Sequence, residues 1–328
     1  MVLNGSDGAA IERAAQALAA GQLVAFPTET VYGLGARADS DAAVALIFEA
    51  KGRPADHPVI VHVADAGDAR RYAAHWTPLA ERLSARFWPG PLTVIVERNP
   101  AIGAAAAAGQ DSIGLRCPAH PVAQALIRAA AALGVSGIAA PSANLFGRIS
   151  PTTAAHVAAD FPDDLLVLDG GACEVGIESS IVDCRGAAPI LLRPGTLPIE
   201  AIEAAADQPF AHGAETGLRV SGNLDSHYAP RATLRLMDAA QLQAALQVLG
   251  PAFPGLAVYS HSVAPVRQPP GGLCWRTMPA QAQAVAHELF SVLREFDSAG
   301  MRLIWVEQPP AGSDWDGVRD RLQRAASP

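Results

Sequence analysis

Lysine is nearly missing from this chain: Lys51 is the only one among 24 basic residues, and the rest are arginine. Charge is sparse in general, with Asp, Glu, Lys and Arg making up 17% of 328 residues and aromatic residues another 5%. Cysteine is scarce as well. Cys117, Cys173, Cys184 and Cys274 stand at no CxxC spacing, which argues against a zinc site or a disulfide framework and leaves them as small buried hydrophobes. No apolar run approaches the ~18 residues of a membrane span, and no signal peptide opens the chain, so the cytoplasm is the expected compartment. GxxxxGK[ST], HExxH and GxSxG are absent, and Gly33-Leu34-Gly35 lacks the third glycine of a dinucleotide fingerprint. The nine histidines show no metal-ligand spacing.

What is present points to a folded, two-domain protein. Half of the residues are hydrophobic, enough for a large core, and the length suits two domains. Net charge is −8, of which the first 205 residues carry −7. Nucleic-acid binders usually show a basic face. An acidic field of this kind repels RNA, so direct tRNA binding is expected to be weak or absent.

The chemistry concentrates in Phe26 to Val63. A predicted strand, Gln22 to Phe26, runs into Pro27-Thr28-Glu29-Thr30, placing hydroxyls and a carboxylate at a strand's carboxyl end. Sites in open α/β sheets lie just beyond such ends. Gly33 and Gly35 are read as positions where the backbone adopts conformations closed to other residues. A helix is predicted from Asp39/Ser40 to Gly52, delivering Lys51 and Arg53, with His57 and His62 following. A lone lysine beside Arg53 suits a phosphate contact, since an ammonium is a compact point charge. A solvated helix end with cations favouring the dipole would carry the same residues.

Further along, Trp88-Pro89-Gly90-Pro91 turns the chain into a strand from Leu92 to Glu97, and the run GAAAAAG at 103–109 fits no element. Strand Ile113 to Arg116 has Ser112 and Arg116 at its ends. Helix His120 to Leu133 and strand Gly137 to Ala140 lead to a polar loop, Pro141 to Thr152, which serves either as a phosphate seat or as an ordinary capped turn. Ile177 to Asp183 and Ile190 to Arg193 are strands, and Ile199 to Ala206 is a helix. Irregular alternation predicts a mixed, twisted sheet. Residues 1–206 form one domain, 207–231 a linker, and 232–328 a small α/β domain whose sequence announces no chemistry of its own.

FPTETVYGLG, KGRPADHPVIVHV, FWPGPLTVIV, SIGLRCPAHP, APSANLFGRISPT, GIESSIVD and LLRPG, in that order, resemble the YrdC family of L-threonylcarbamoyladenylate synthases over about residues 10–205. SHYAP followed by a second α/β domain resembles the long, two-domain form. The resemblance implies a YrdC-like twisted mixed sheet with helices around an open cleft, plus a smaller Rossmann-like C-terminal domain. It also implies a nucleotidyltransferase that condenses L-threonine, bicarbonate and ATP to threonylcarbamoyl-AMP and pyrophosphate. Mg²⁺ would accompany the ATP, and the product would pass to a tRNA threonylcarbamoyl transferase complex. By position, Thr30, His62, Arg116, the backbone of Ala140, and Ser179 match the family's threonine pocket. Lys51, Arg53, His57, Ser112, Ser142, Asn144, Ser150, Arg193 and Tyr228 match its nucleotide and phosphate contacts, with Lys51 and Arg53 as the catalytic pair. His57 stands where Asn is commoner, and donates only in the right tautomer or when protonated. Residues 221–231 are expected to close as a lid carrying Tyr228. A non-catalytic RNA-binding module and a carbamoyltransferase are the rival functions.

Overall fold

The computed structural model describes residues 1–211, 217–222, 227–249, 255–265 and 273–327. Two compact units emerge, Met1–Phe146 with Ser150–Asn223, and Gly147–Ile149 with Leu224–Pro328.

The first unit begins with β1 (Val2–Asn4), α1 (Gly8–Ala19), β2 (Val24–Phe26), β3 (Gly33–Arg37), α2 (Asp41–Lys51) and β4 (Val61–His62). It continues with α3 (Ala66–Arg70), β5 (Ala73–His75), α4 (Pro78–Phe87), β6 (Leu92–Arg98), β7 (Ser112–Arg116), α5 (Pro121–Ala132) and β8 (Ile138–Ala139). Last come α6 (Ala154–Asp160), β9 (Leu166–Asp169), β10 (Ser180–Asp183), β11 (Ile190–Arg193) and α7 (Ile199–Ala206). The strands form one mixed sheet in the order β1-β9-β2-β3-β8-β4-β7-β6-β10-β11, with β5 added beside β6. This is the twisted mixed sheet expected.

Local chemistry sets the helix ends. Ser40 caps α2 by accepting from the Ala43 N–H at 3.3 Å, and Gly52 closes it in the left-handed conformation, where glycine carries no Cβ penalty. Pro121 enters α5 behind His120, whose Nδ1 accepts from the Val122 N–H at 3.2 Å. The run at 103–109 is a turn sequence, and its Ala106 carbonyl accepts from Val59 N–H at 2.8 Å.

Alternation along the strands creates two unlike faces. Val61, Leu115, Val94 and Val182 point into one core together with Val44 and Ile47 of α2 and Leu79 and Leu83 of α4. On the opposite face, Val24, Phe26, Ile138 and Leu168 are covered by α1 and α5 through Ile11, Leu18, Leu126 and Ile127. That cover reaches only part of the sheet. Ile60, Gly114, Ile95 and Ile181, from the β4-β7-β6-β10 region, line a pocket instead. The open face is therefore a consequence of where two helices stop.

Gly33 and Gly35 serve a different purpose from the one expected. Both lie within β3 and neither has positive φ. A Cβ on Gly35 would come within 2.7 Å of Ile138 Cγ2 and 2.8 Å of Phe26 Cε1, and one on Gly33 within 3.3 Å of Phe26 Cζ. They are glycine so that the Phe26 ring can lie on them, with its centroid 5.9 Å from that of the His62 ring and the two planes nearly perpendicular.

The second unit holds β12 (Thr233–Met237), α8 (Ala239–Leu249), β13 (Leu256–Ser260), β14 (Leu273–Thr277), α9 (Ala282–Ser298), β15 (Leu303–Glu307) and α10 (Asp316–Ala326). Its sheet is parallel throughout, in the order β12-β15-β13-β14. Sequence reading missed β14, whose LCWRT follows a Pro- and Gly-rich stretch. No helix among the described residues is long and apolar enough to cross a membrane.

Candidate active site

The open face of the first unit carries a row of polar side chains. His62 ends β4 and Arg116 ends β7, paired in register. Thr93 follows on β6, and its Oγ1 lies 2.8 Å from Ser179 Oγ. All four are buried. Arg116 is 3% exposed and forms an ion pair with Glu29 at 2.7 Å (NH2 to Oε1), while among the described residues neither its Nε nor its NH2 has a hydrogen-bond partner. Burial, followed by the neighbouring Arg116 charge, pushes the His62 pKa down to about 3, so the ring is neutral at physiological pH. Thr30 packs at the end of β2, with its hydroxyl 2.9 Å from that of Thr28. The Ala140 N–H is already given to Ile60 O at 2.9 Å.

Ser179 is organised from β11. Arg193 donates from Nε and NH2 to Ser179 O at 3.0 and 2.9 Å, from NH2 to Ser179 Oγ at 3.1 Å, and from NH1 to Ser221 O at 2.8 Å. Since Ser179 Oγ accepts from Arg193, its own proton is directed elsewhere, to Thr93 or to a ligand.

The sequence-predicted cations are positioned differently from expectation. Lys51 is not a surface-cleft residue: it is 3% exposed, and its ammonium donates to the backbone carbonyls of Ser142 (2.6 Å) and Asn144. Burial, then Arg53, lowers its pKa well below the ordinary lysine value. Lys51 thus ties the end of α2 to the polar loop, and Phe146 N–H closes the same connection onto Lys51 O at 2.9 Å. Arg53 donates to Pro58 O at 3.0 Å and sits 5.9 Å from the Phe146 ring, against which His57 packs edge-on. Burial and then Arg53 lower the His57 pKa. Ser142 bridges to Gly33. Asn144 Nδ2 donates to Leu145 O at 2.7 Å, and Ser150 Oγ donates to Glu178 Oε1 at 2.5 Å.

Ser112 lines a small open pocket with Ile60, Gly114, Ile95 and Ile181, and Arg219 and Ser221 also line it. Gly114 keeps this floor flat, because a Cβ there would lie 3.2 Å from Ile95 Cδ1. The linker therefore splits. Residues 217–222 belong to the first unit, where Arg219 exchanges hydrogen bonds with Gln110 at 3.0 Å. Residues 223–226 lie outside the described residues, and 227–231 belong to the second unit. Tyr228 is fully buried there, stacked on Phe290 at 5.4 Å with Arg321 5.5 Å away. In this structure its ring is packed within the second unit and not presented to a ligand.

Glu29, Thr93, Glu178 and Arg219 were not singled out as site residues from the sequence. Glu29 had a signal, being the one carboxylate at the end of β2. Arg219 had none.

An α/β unit with an uncovered sheet face, a buried guanidinium and a rim of cations and hydroxyls is built for small anions. Residues 16–195 match the family of Sua5, YciO and YrdC proteins described as "Telomere recombination", and residues 197–327 match the "Threonylcarbamoyl-AMP synthase, C-terminal domain". The threonylcarbamoyl-AMP synthase of Bacillus subtilis is 38% identical over 96% of this chain and 92% of its own length. That of Pyrococcus abyssi is 44% identical over 66% of this chain, and the match spans 65% of that relative. The crystal structure of P. abyssi Sua5 complexed with L-threonine superposes with a TM-score of 0.87 at 34% identity, covering 98% of this chain and 95% of that one. The chain therefore belongs to the Sua5/YciO/YrdC family, in the form that carries a threonylcarbamoyl-AMP synthase C-terminal domain. The resemblance drawn from seven sequence motifs is borne out.

Proposed function

We propose that this chain condenses L-threonine, bicarbonate and ATP to threonylcarbamoyl-AMP, with release of pyrophosphate and water. The observation that carries this reading is the buried row of His62, Arg116, Thr93 and Ser179, in which Arg116 Nε and NH2 have no hydrogen-bond partner among the described residues. A guanidinium edge left unmatched in a buried setting is matched by a carboxylate.

In this reading Arg116 takes the threonine carboxylate, and Thr30 and Ser179 meet its hydroxyl and amine. His62, neutral at pH 7, neither repels the amine nor competes for the carboxylate. Threonine's amine adds to bicarbonate and water leaves, forming a carbamate. The carbamate oxygen then attacks the α-phosphorus of ATP and pyrophosphate departs. Holding the reactants in attack geometry supplies up to ~7–11 kcal/mol of the barrier. Arg53, His57, Ser112, Ser142, Asn144, Ser150 and Arg193 face the nucleotide and its phosphates. Lys51 is a positioning residue that fixes the Ser142–Asn144 backbone through two carbonyls. Tyr228 would have to leave its stack on Phe290 to serve a ligand.

Among the described residues no group of three His, Cys, Asp or Glu is placed to hold a metal ion. The donors on this face are guanidinium and hydroxyl groups, which suit phosphate oxygens. Mg²⁺ is thus read as part of the MgATP substrate, carried by phosphate oxygens and water. Residues 217–222 act as a flap on the nucleotide end of the pocket. The reaction class is nucleotidyl transfer in the cytoplasm, and the product goes to a tRNA threonylcarbamoyl transferase. The deciding experiment measures pyrophosphate release from ATP by the purified chain. Release that requires both threonine and bicarbonate is expected, and release indifferent to either overturns the proposal.

A further inference from the structure

The PTET segment contains a carboxylate that the reading above leaves without a role. Glu29 is 5% exposed, at the end of β2, next to Thr30. It is approached from three different parts of the chain. Oε1 lies 2.7 Å from Arg116 NH2, Oε2 accepts from the Ala119 N–H at 3.0 Å, and the backbone carbonyl accepts from Val175 N–H at 2.7 Å. Glu29 thus sits where the segments following β2, β7 and β9 converge.

We infer that Glu29 is a positioning residue for threonine recognition: its ion pair with Arg116 NH2 fixes the plane of the guanidinium and with it the direction of Nε, which is turned to the substrate carboxylate. This rests on the assignment of Arg116 to threonine. The physical case has three parts. A guanidinium is a rigid planar fork, so anchoring NH2 fixes the direction of Nε. An isolated buried cation is strongly disfavoured unless paired, and Glu29 is the only carboxylate that forms an ion pair with Arg116 among the described residues. Finally, Glu29 is itself held by Ala119 N–H and the Val175 contact, so the anchor is fixed before the ligand arrives. A flexible side chain at Arg116 would lose entropy on every binding event, and preorganisation removes that cost.

The test is steady-state kinetics of Glu29→Gln, which keeps shape and removes charge. The threonine KM should rise by up to ~100-fold, the cost of misplacing a binding group by about 1 Å, while the ATP KM and the turnover at saturating threonine stay near wild type. A purely structural role would move all three together, and that result overturns the inference, as does an unchanged threonine KM. Should Glu29→Gln fold poorly, Glu29→Asp, which keeps the charge and withdraws it by one methylene, decides: the threonine KM should rise with the ATP KM and turnover near wild type, and an unchanged threonine KM overturns the inference. Where Glu29→Gln folds, the Arg116→Lys background adds a second check. There, adding Glu29→Gln should leave kcat/KM for threonine unchanged within about twofold, because Glu29 acts only through the guanidinium. A further fall there overturns the inference. Wild-type protein without threonine-dependent pyrophosphate release would instead overturn the assignment of Arg116, and this inference with it.

Discussion

The two units each gather polar groups at strand ends, but they treat them in opposite ways. In the second unit, Glu307 at the end of β15 is buried, and every donor around it is directed inward. Its carboxylate accepts from Ser260 Oγ at 2.5 Å, from the N–H groups of His261 and Ser262 at 3.0 and 2.9 Å, and from Ser262 Oγ, with His261 Nε2 3.3 Å away. Burial opposes its ionisation, yet the bonds from Ser260 and Ser262 prevail and hold its pKa at about 2. In the first unit, Arg116 Nε and His62 Nδ1 are also buried and lack hydrogen-bond partners among the described residues. Native proteins rarely leave such groups unmatched. A closed polar cluster is a staple for the fold, and an open one is a place for a ligand.

This contrast can be broken most sharply through the substrate. If the row of buried hydroxyls in the first unit reads threonine's own hydroxyl, valine should be disfavoured by on the order of 10⁴-fold in kcat/KM, because a site built to bond a hydroxyl is left unpaired without it. Serine keeps the hydroxyl and loses one methyl group, so it should fall only by roughly 10–200-fold. Equal rates for valine and threonine in a pyrophosphate-release assay would remove the open cluster's assigned role.

Next in size is Lys51→Ala. Adenylate formation should drop by about 100-fold, the loss expected when substrate-facing groups are misplaced by about 1 Å. Because the ammonium is buried on two carbonyls, the Ser142–Asn144 loop should also become more accessible in hydrogen exchange. Loss of activity without that change would return Lys51 to direct substrate contact.

Glu307→Ala probes the closed cluster. Leaving buried donors unmatched costs ~1–3 kcal/mol, visible as a lower unfolding midpoint in urea. Threonine affinity measured by calorimetry should not move, since Glu307 belongs to the second unit. A weaker threonine affinity would erase the distinction between staple and site.

The smallest effect concerns pH. The folded His62 pKa of about 3 lies below the ordinary 6.5, so the unfolded chain binds the proton more readily. Its contribution to stability is whole above pH 6.5 and declines as pH falls toward 3. Denaturation of wild type and His62→Gln between pH 4 and 7 should show a shallower slope in the variant. Parallel slopes would mean that the ring is not held neutral.

Much of the local structure was legible beforehand. Ser40 and Gly52 bracket α2, Pro121 enters α5, and the strand at β7 was read to within one residue. These signals are local, because capping and period-2 or period-3.6 patterning depend on neighbours along the chain. The seven motifs likewise carried the family, and most of the proposed site residues of the first unit were identified by number.

Pairings across the sheet were decided by the tertiary structure alone. Thr93 meets Ser179 across 86 positions of sequence, and Glu29 meets Arg116 only because β2 and β7, four places apart in the sheet, end near each other. Lys51 looked like a solvated or substrate-facing cation because nothing local marks a lysine that will be covered. Its burial depends on the loop after β8 crossing over it. Gly33 and Gly35 looked like turn residues because a ring stacked from another strand leaves no local trace. Tyr228 looked free to move because a linker's composition does not say which unit will take up its ring. The sequence by itself determined which segments are helices and strands and which chemistry they carry. Strand order decided which of those groups were left unmatched, because side chains distant in sequence meet only once the backbone hydrogen bonds of the sheet are formed.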